Sequence, residues 1–165
     1  MNVEKKVALF VDVQNIYYTV RQAYSANFNY TAFWNQATQN RQVIKAYAYA
    51  IDRSDPQQIN FQKIIHNIGF EIKLKPYIQR SDGSAKGDWD VGITIDMLEA
   101  AETADVIVLA SGDGDFDLVI KKIQEKYRIP VEVYGVPSLT ADSLIKAASV
   151  YTPIEESLLM RPKRS

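Results

Sequence analysis

Three acidic clusters hold the residues best suited to chemistry: Val11-Asp12-Val13-Gln14-Asn15, Lys86-Gly87-Asp88-Trp89-Asp90 and Ser111-Gly112-Asp113-Gly114-Asp115-Phe116. The first and third follow apolar runs of strand length, and the second opens a helical pattern between them. An open parallel sheet places its crevice beyond the carboxyl ends of its strands, where separate loops converge. Carboxylates gathered there repel one another unless a cation neutralises them. The pattern therefore points to a divalent-metal site with an open side for a phosphate-bearing substrate.

Other chemistries fit less well. An EF-hand starting at Asp113 would need glycine at its sixth position and an acid at its twelfth, where this chain has Leu118 and Gln124. A dinucleotide fingerprint starting at Gly112 finds Asp117 in place of its third glycine, and no Walker phosphate loop occurs. An aspartyl-phosphate phosphatase would want a second acid two positions after Asp12, and that residue is Gln14. With one histidine, His66, and no cysteine, histidine-rich and Cys-ligated metal sites, thiolate nucleophiles and disulfides are excluded. His66 reads as an ordinary helix residue.

Each acidic cluster also has a structural reading. Asp12 could cap the helix that follows it, with Asn15 bracing the turn. Asp88 and Asp90 suit a helix start, where negative charge complements the dipole. Asp113 and Asp115 could form a capping turn, but that leaves unexplained why acids recur after two separate strands.

The elements that must carry these residues alternate. Residues 6–13 form the continuous apolar run of a parallel strand buried on both faces. Helices are expected over about 15–23 and 31–38, then a strand over 43–51. Ser54-Asp55-Pro56 predicts a helix start and Gly69 its stop, with Ile59, Lys63 and His66 at helical spacing between them. A short strand over 70–74 precedes a polar loop over 80–85, the segment expected to be most mobile. Over 88–103 the spacing is helical. Val91, Ile95 and Leu98 share one stripe, and Asp90, Thr94, Met97 and Ala101 share its neighbour, so Asp90 should open a partly buried stripe facing the sheet. A strand over 105–110, a helix over 115–127, a strand over 130–134, a helix over 140–148 and an extended piece at 150–151 complete the series. Such alternation is the signature of an α/β fold with a parallel sheet. Residues 1–152 read as one domain and 153–165 as a C-terminal tail.

Composition agrees with one globular domain: 165 residues, 47% hydrophobic and 24% charged. A net charge of −1 argues against a protein that coats nucleic acid, though not against a small substrate groove. The basic groups Lys73, Lys75, Arg80 and Lys86, the run Lys121 to Arg128, and Arg161, Lys163 and Arg164 read as solvated faces unless the fold makes them converge. The polar start and the lack of a long apolar stretch predict a cytoplasmic protein without a membrane partner.

With Phe10-Val11-Asp12-Val13-Gln14-Asn15-Ile16, Lys86-Gly87-Asp88-Trp89-Asp90-Val91 with Asp96, and Ser111 to Phe116 in this order, the chain resembles the NYN family. This is a PIN-like nuclease superfamily group that includes LabA-like bacterial proteins. The likeness runs over about residues 5–150. It implies a PIN-like three-layer α/β/α sandwich with a mainly parallel central sheet, and a metal-dependent ribonuclease site. Asp12, Asp90 and Asp113 match the principal acidic positions, with Asp115 a further ligand or water-positioning group. Asn15 looks like a polar site residue, and Lys86 and Ser111 join it as expected substrate contacts. Asp96 matches an acidic position too, but six helical residues set it about 9 Å along the axis from Asp90 and on another face, so it is ranked as a supporting residue.

The implied chemistry is hydrolysis of an RNA phosphodiester with Mg2+ or Mn2+ held by carboxylates, leaving a 5′-phosphate and a 3′-hydroxyl. The expected partner is single-stranded RNA, with Tyr17, Tyr18 and Trp89 either stacking on unpaired bases or packing in the core. The alternative is a noncatalytic regulatory or RNA-binding module of LabA type acting through a protein partner, and a homodimer fits either reading.

Overall fold

The first strand, β1 (Lys5–Asp12), is buried from Val7 onward, as a central strand covered on both faces must be. The computed structural model describes residues 4–76, 78–79, 85–86 and 88–161, with the backbone alone for 76, 78–79 and 85–86. Parallel strands need long crossovers, and helices supply them. Helices α1 (Val13–Tyr24) and α2 (Tyr30–Ala37), with the short β2 (Asn27–Phe28) between them, lead to β3 (Arg41–Asp52), and α3 (Pro56–Ile68) leads to β4 (Glu71–Pro76). The antiparallel pair β5 (Ile78–Gln79) and β6 (Ala85–Lys86) then precedes α4 (Asp90–Ala101) and β7 (Val106–Ala110). Helix α5 (Asp117–Tyr127) leads to β8 (Val131–Gly135), and α6 (Asp142–Ala147) to β9 (Val150–Pro153).

The six main strands lie in the order β4-β3-β1-β7-β8-β9, all parallel. The chain runs outward from β1 through β3 to β4, then crosses back to β7 and runs outward the other way. The order therefore reverses between β1 and β7, where the crevice of an open sheet forms. Side chains of β1 divide between two cores. Val7, Leu9 and Val11 pack with Ile16, Val20, Phe33 and Ile65 of α1 to α3, whereas Ala8 and Phe10 pack with Ile93, Met97, Ile120 and Ile123 of α4 and α5. The result is the expected α/β/α sandwich around a parallel sheet.

The local signals for α3 act as the spacing predicted. Asp55 accepts from the Gln58 N–H at 2.7 Å, Pro56 opens the first turn, and Gly69 ends the helix at φ 138°. A side chain at Gly69 would be strained by that φ and would meet the Trp34 ring at 2.5 Å.

Helix α4 turns the Asp90 stripe toward the sheet, as its spacing predicts. Val91 and Ile95 are 71% and 57% exposed, while Ile93, Met97, Ala100 and Ala101 are buried. Trp89 explains the rotation: its Nε1 donates to the Ala50 carbonyl at 2.9 Å and its ring lies 5.3 Å from that of Tyr49, which fixes the first turn against β3. Met97 and Ala101, on the Asp90 stripe, do face the sheet.

The residues after 152, expected as a tail, fold back as far as Arg161. Ile154 and Leu158 are buried, β10 (Leu159–Met160) pairs antiparallel with β2, and Arg161 forms an ion pair with Glu156. The loop residues 80–84 and the basic residues Lys163 and Arg164 lie outside the described residues. Among the described residues, no helix is long and apolar enough to cross a membrane.

Candidate metal centre

Val11 of β1 lies opposite Ala110 of β7, so the residues after each strand emerge side by side at the reversal of strand order. Asp12 ends β1 and is 8% exposed. It occupies the position before α1, where the Asn15 N–H acts on its carboxylate although no full capping bond forms. Its Oδ2 accepts from the Ser111 hydroxyl at 3.2 Å. Burial pushes the Asp12 carboxyl up to about 6, helped by the charges of Asp113 and Asp88 and opposed by the Asn15 N–H and the Ser111 hydroxyl.

Ser111, fully buried, also accepts from the Asp113 N–H at 3.2 Å. Its hydroxyl thus lies between the two acidic loops rather than at the surface where a substrate would meet it. Asn15 makes the second tie, its Oδ1 accepting from the Gly112 N–H at 2.9 Å. Gly112 is required by close approach: a Cβ there would stand 2.7 Å from the Leu139 carbonyl oxygen. The glycine lets the loop after β7 lie against the chain that leaves β8.

Asp113 accepts from the Asp115 N–H at 3.0 Å, which fixes the short helical turn Gly114–Phe116, so its expected capping role is real. That bond leaves the carboxylate near others. Single oxygens of Asp90, Asp113 and Asp115 lie within 4.8 Å of one another. Asp90 comes to this point from the first turn of α4, with its N–H donating to Asp88 Oδ1 at 3.3 Å. Burial, then a hydrogen bond with Asp113 and the charges of Asp113, Asp12 and Asp88, push the Asp90 carboxyl up to about 7. The ion pairs Arg41 with Glu132, Lys73 with Asp96 and Arg161 with Glu156 lie elsewhere.

This donor set fits a hard divalent cation. It offers carboxylate oxygens alone, gathered from the start of α4 and the loop after β7, and besides burial it is the neighbouring carboxylates, whose charge an ion would offset, that raise Asp90. Asp12 adds a fourth carboxylate close enough to raise Asp90.

Asp96 stands apart. Its Oδ2 accepts from Lys73 Nζ at 2.7 Å and from the Tyr49 hydroxyl at 2.8 Å. Tyr49 is fully buried, and burial followed by its bond to Asp96 pushes its phenol up. Lys73 also sits 4.2 Å from the Tyr47 ring centre. This network fastens the middle of α4 to β3 and β4, and Trp89 fastens its start, so that Asp90 is held toward Asp113. Nothing local in the chain signals it, since Lys73 and Tyr49 lie 23 and 47 residues from Asp96. Lys75, another expected solvated base, donates to the Asp88 carbonyl at 3.0 Å and lies 4.5 Å from the Trp89 ring centre. Trp89 is thereby packed, whereas Tyr17 and Tyr18 are half exposed. The backbone of Lys86 lies in β6, and its side chain falls outside the described residues.

A family profile described as the NYN domain matches residues 6–155. The chain is 26% identical over 159 residues to the low amplitude and bright protein LabA of Synechococcus elongatus, covering 92% of this chain and 84% of that one. It also superposes on the crystal structure of a protein of unknown function from Vibrio parahaemolyticus, with a TM-score of 0.92, 52% identity and coverage of 97% of this chain and all of that one.

Proposed function

Because the chain belongs to the NYN domain family, within the PIN-like nuclease superfamily, we propose that it is a metal-dependent ribonuclease that hydrolyses phosphodiester bonds of single-stranded RNA. The observation that carries this reading is the gathering of Asp90, Asp113 and Asp115 within 4.8 Å at the reversal of strand order. Those three acids, with Asp12 beside them, would hold Mg2+ or Mn2+. Such an ion supplies Lewis-acid stabilisation of charge on a phosphoryl oxygen and lowers the cost of deprotonating an attacking water.

The protein's own groups do the rest. Asn15 and Ser111 lock the loops after β1 and β7 in register, which sets the acids before substrate arrives. The Asn15 amide nitrogen remains to orient a phosphate, and we assign Lys86 the same task from its place in the sequence. Hydrolysis would leave a 5′-phosphate and a 3′-hydroxyl. A cytoplasmic location accords with this role.

The likeness to LabA favours a second reading, a noncatalytic regulatory or RNA-binding module acting through a protein partner or as a homodimer. Cleavage of end-labelled single-stranded RNA, with Mn2+, Mg2+ or chelator, separates the two. Cleavage that needs both the metal and Asp90 is the expected result. Full cleavage by Asp90→Asn protein purified in parallel, or no cleavage of a varied RNA set by wild type, would remove the nuclease reading.

A further inference from the structure

A groove of about 470 Å3 opens at the same sheet edge as the acids, on the other side of β1. Gln14 and Tyr17 of α1, Ile51 of β3, Arg53, and Gln57 and Phe61 of α3 are among the residues lining it. It begins in the first turn of α1, directly after Asp12, and β3 lies one strand spacing, about 4.8 Å, from β1. A chain bound in the groove would therefore lead to the metal centre.

Two features of the groove are unusual for a protein surface. Tyr17 and Tyr18 are adjacent, 50% and 52% exposed, with ring centres 5.5 Å apart at an edge-on 79°. Buried aromatic pairs elsewhere in the fold, such as Phe33 with Tyr134, are part of the core, and these two are not. Gln14 and Gln57 form no side-chain hydrogen bond among the described residues, whereas Gln58 bonds to the Ile51 carbonyl and to the Arg53 N–H. The groove thus offers flat aromatic faces together with amides that both donate and accept, a combination suited to nucleobases. A paired base has its faces and edges covered, so only an unpaired one can use both.

We propose that this groove is a subsite for the unpaired nucleotides flanking the scissile phosphate, with Tyr17 and Tyr18 stacking on bases and Gln14 and Gln57 meeting their edges. The assignment rests on the nuclease reading above, since it makes the groove the approach to the acids. It also fixes the character of binding. Among the described residues, the cations beside the groove are Arg53 on its wall and Arg21, whose guanidinium lies 5.7 Å from the Tyr17 ring centre. Even if both met phosphates, the salt slope would be only about −1.4 for a single strand, so stacking rather than counterion release carries the affinity.

The test is fluorescence anisotropy of a short fluorescein-labelled RNA, the same RNA annealed to its complement, and DNA of the same sequence. Each is titrated in chelator with wild type, Tyr17→Ala, Tyr18→Ala and the two Tyr→Phe variants. The expected result is preference for the unpaired strands, about tenfold weaker binding for each alanine, near wild-type binding for each phenylalanine, and a shallow salt slope. Weaker binding of DNA than of RNA would add contacts to the 2′-hydroxyl, and equal binding would confine recognition to the bases; either accords with the proposal. Binding that ignores the rings, prefers the duplex, or falls with a slope of about −4 or steeper overturns it, as does no binding by wild type. Because chelator removes cleavage from the readout, ring-dependent binding by a protein that never cleaves would remove the nuclease reading and leave the groove.

Discussion

Two aspartates of one helix meet opposite environments. Asp96 receives an ammonium at 2.7 Å and a phenol at 2.8 Å. Asp90, six residues earlier, faces the carboxylates of Asp113 and Asp115 and is pushed up to about 7. Both are partly buried, so burial does not distinguish them. Pairing does: an acid supplied with cations and donors by the fold stabilises the fold, and an acid set among other acids is held for something the protein does not contain. The first network positions the helix, and the second uses the position.

The sharpest way to break this contrast is to remove each charge with little change of shape. Asp90→Asn should lower metal-dependent cleavage at least about 100-fold, because losing partners one bond further from a metal already costs about 10- to 100-fold. Its melting temperature without metal should stay the same or rise, since a repelled charge has gone. Asp96→Asn should keep most of the cleavage. Equal losses in parallel assays of the two proteins would mean that Asp96 belongs to the chemistry after all.

Stability should report the reverse. Asp96→Ala leaves Lys73 and the Tyr49 hydroxyl without their shared acceptor and should cost about 2 kcal/mol in urea unfolding. That is below the 3–5 kcal/mol of a fully buried pair, because the Asp96 and Lys73 side chains are 18% and 31% exposed. An unchanged midpoint would show that the network is ornamental and that Trp89 alone sets the helix.

The contrast also marks what the sequence could reveal. The fold class was legible because β1 and β7 are continuous apolar runs and the intervening segments have helical spacing. Asp12 and Asp113 stood out because each follows such a run. What escaped were ties between distant residues: Ser111 to Asp12 across 99 positions and Asn15 to Gly112 across 97 leave no periodic trace. The stripe of α4 that turns inward was legible too, with Met97 and Ala101 buried beyond Asp90, but not the Trp89 anchor that fixes it. The segment after 152 was read as a tail because it is short and irregular, although Ile154, Leu158 and Leu159 are buried.

Titration without metal should separate the clusters further. Asp12 and Asp90 have folded-state values raised to about 6 and about 7, so the folded protein holds protons that the unfolded chain has released. Their contribution to stability is fully present below the ordinary carboxylate range and is lost as pH rises through 6 to 7. Metal-free melting temperature should therefore rise on acidification from pH 8 to pH 5.5. Added Mn2+ should stabilise more at pH 8 than at pH 5.5, where it must displace those protons. A calorimetric series in chelator and in Mn2+ reads both effects, and Asp90→Asn should flatten both. Stabilisation by Mn2+ that is independent of pH and of Asp90 would put the ion elsewhere.

The smallest effect expected is that of Ser111→Ala, and it tests whether pairing within the acidic cluster is structural or preparatory. The hydroxyl donates to Asp12 and accepts from the Asp113 N–H, and the residue is fully buried. Its loss should cost about 1 kcal/mol of stability, near the typical worth of a hydrogen bond. Cleavage should fall by up to about 10-fold through misplacement of Asp12 and Asp113, the lower end of what a metal's outer partners contribute. Since the hydroxyl favours the charged form of Asp12, the acidic limb of the pH–rate profile should also move to higher pH. A stability loss with an unmoved limb and unchanged rate would make Ser111 a strut between two loops and nothing more.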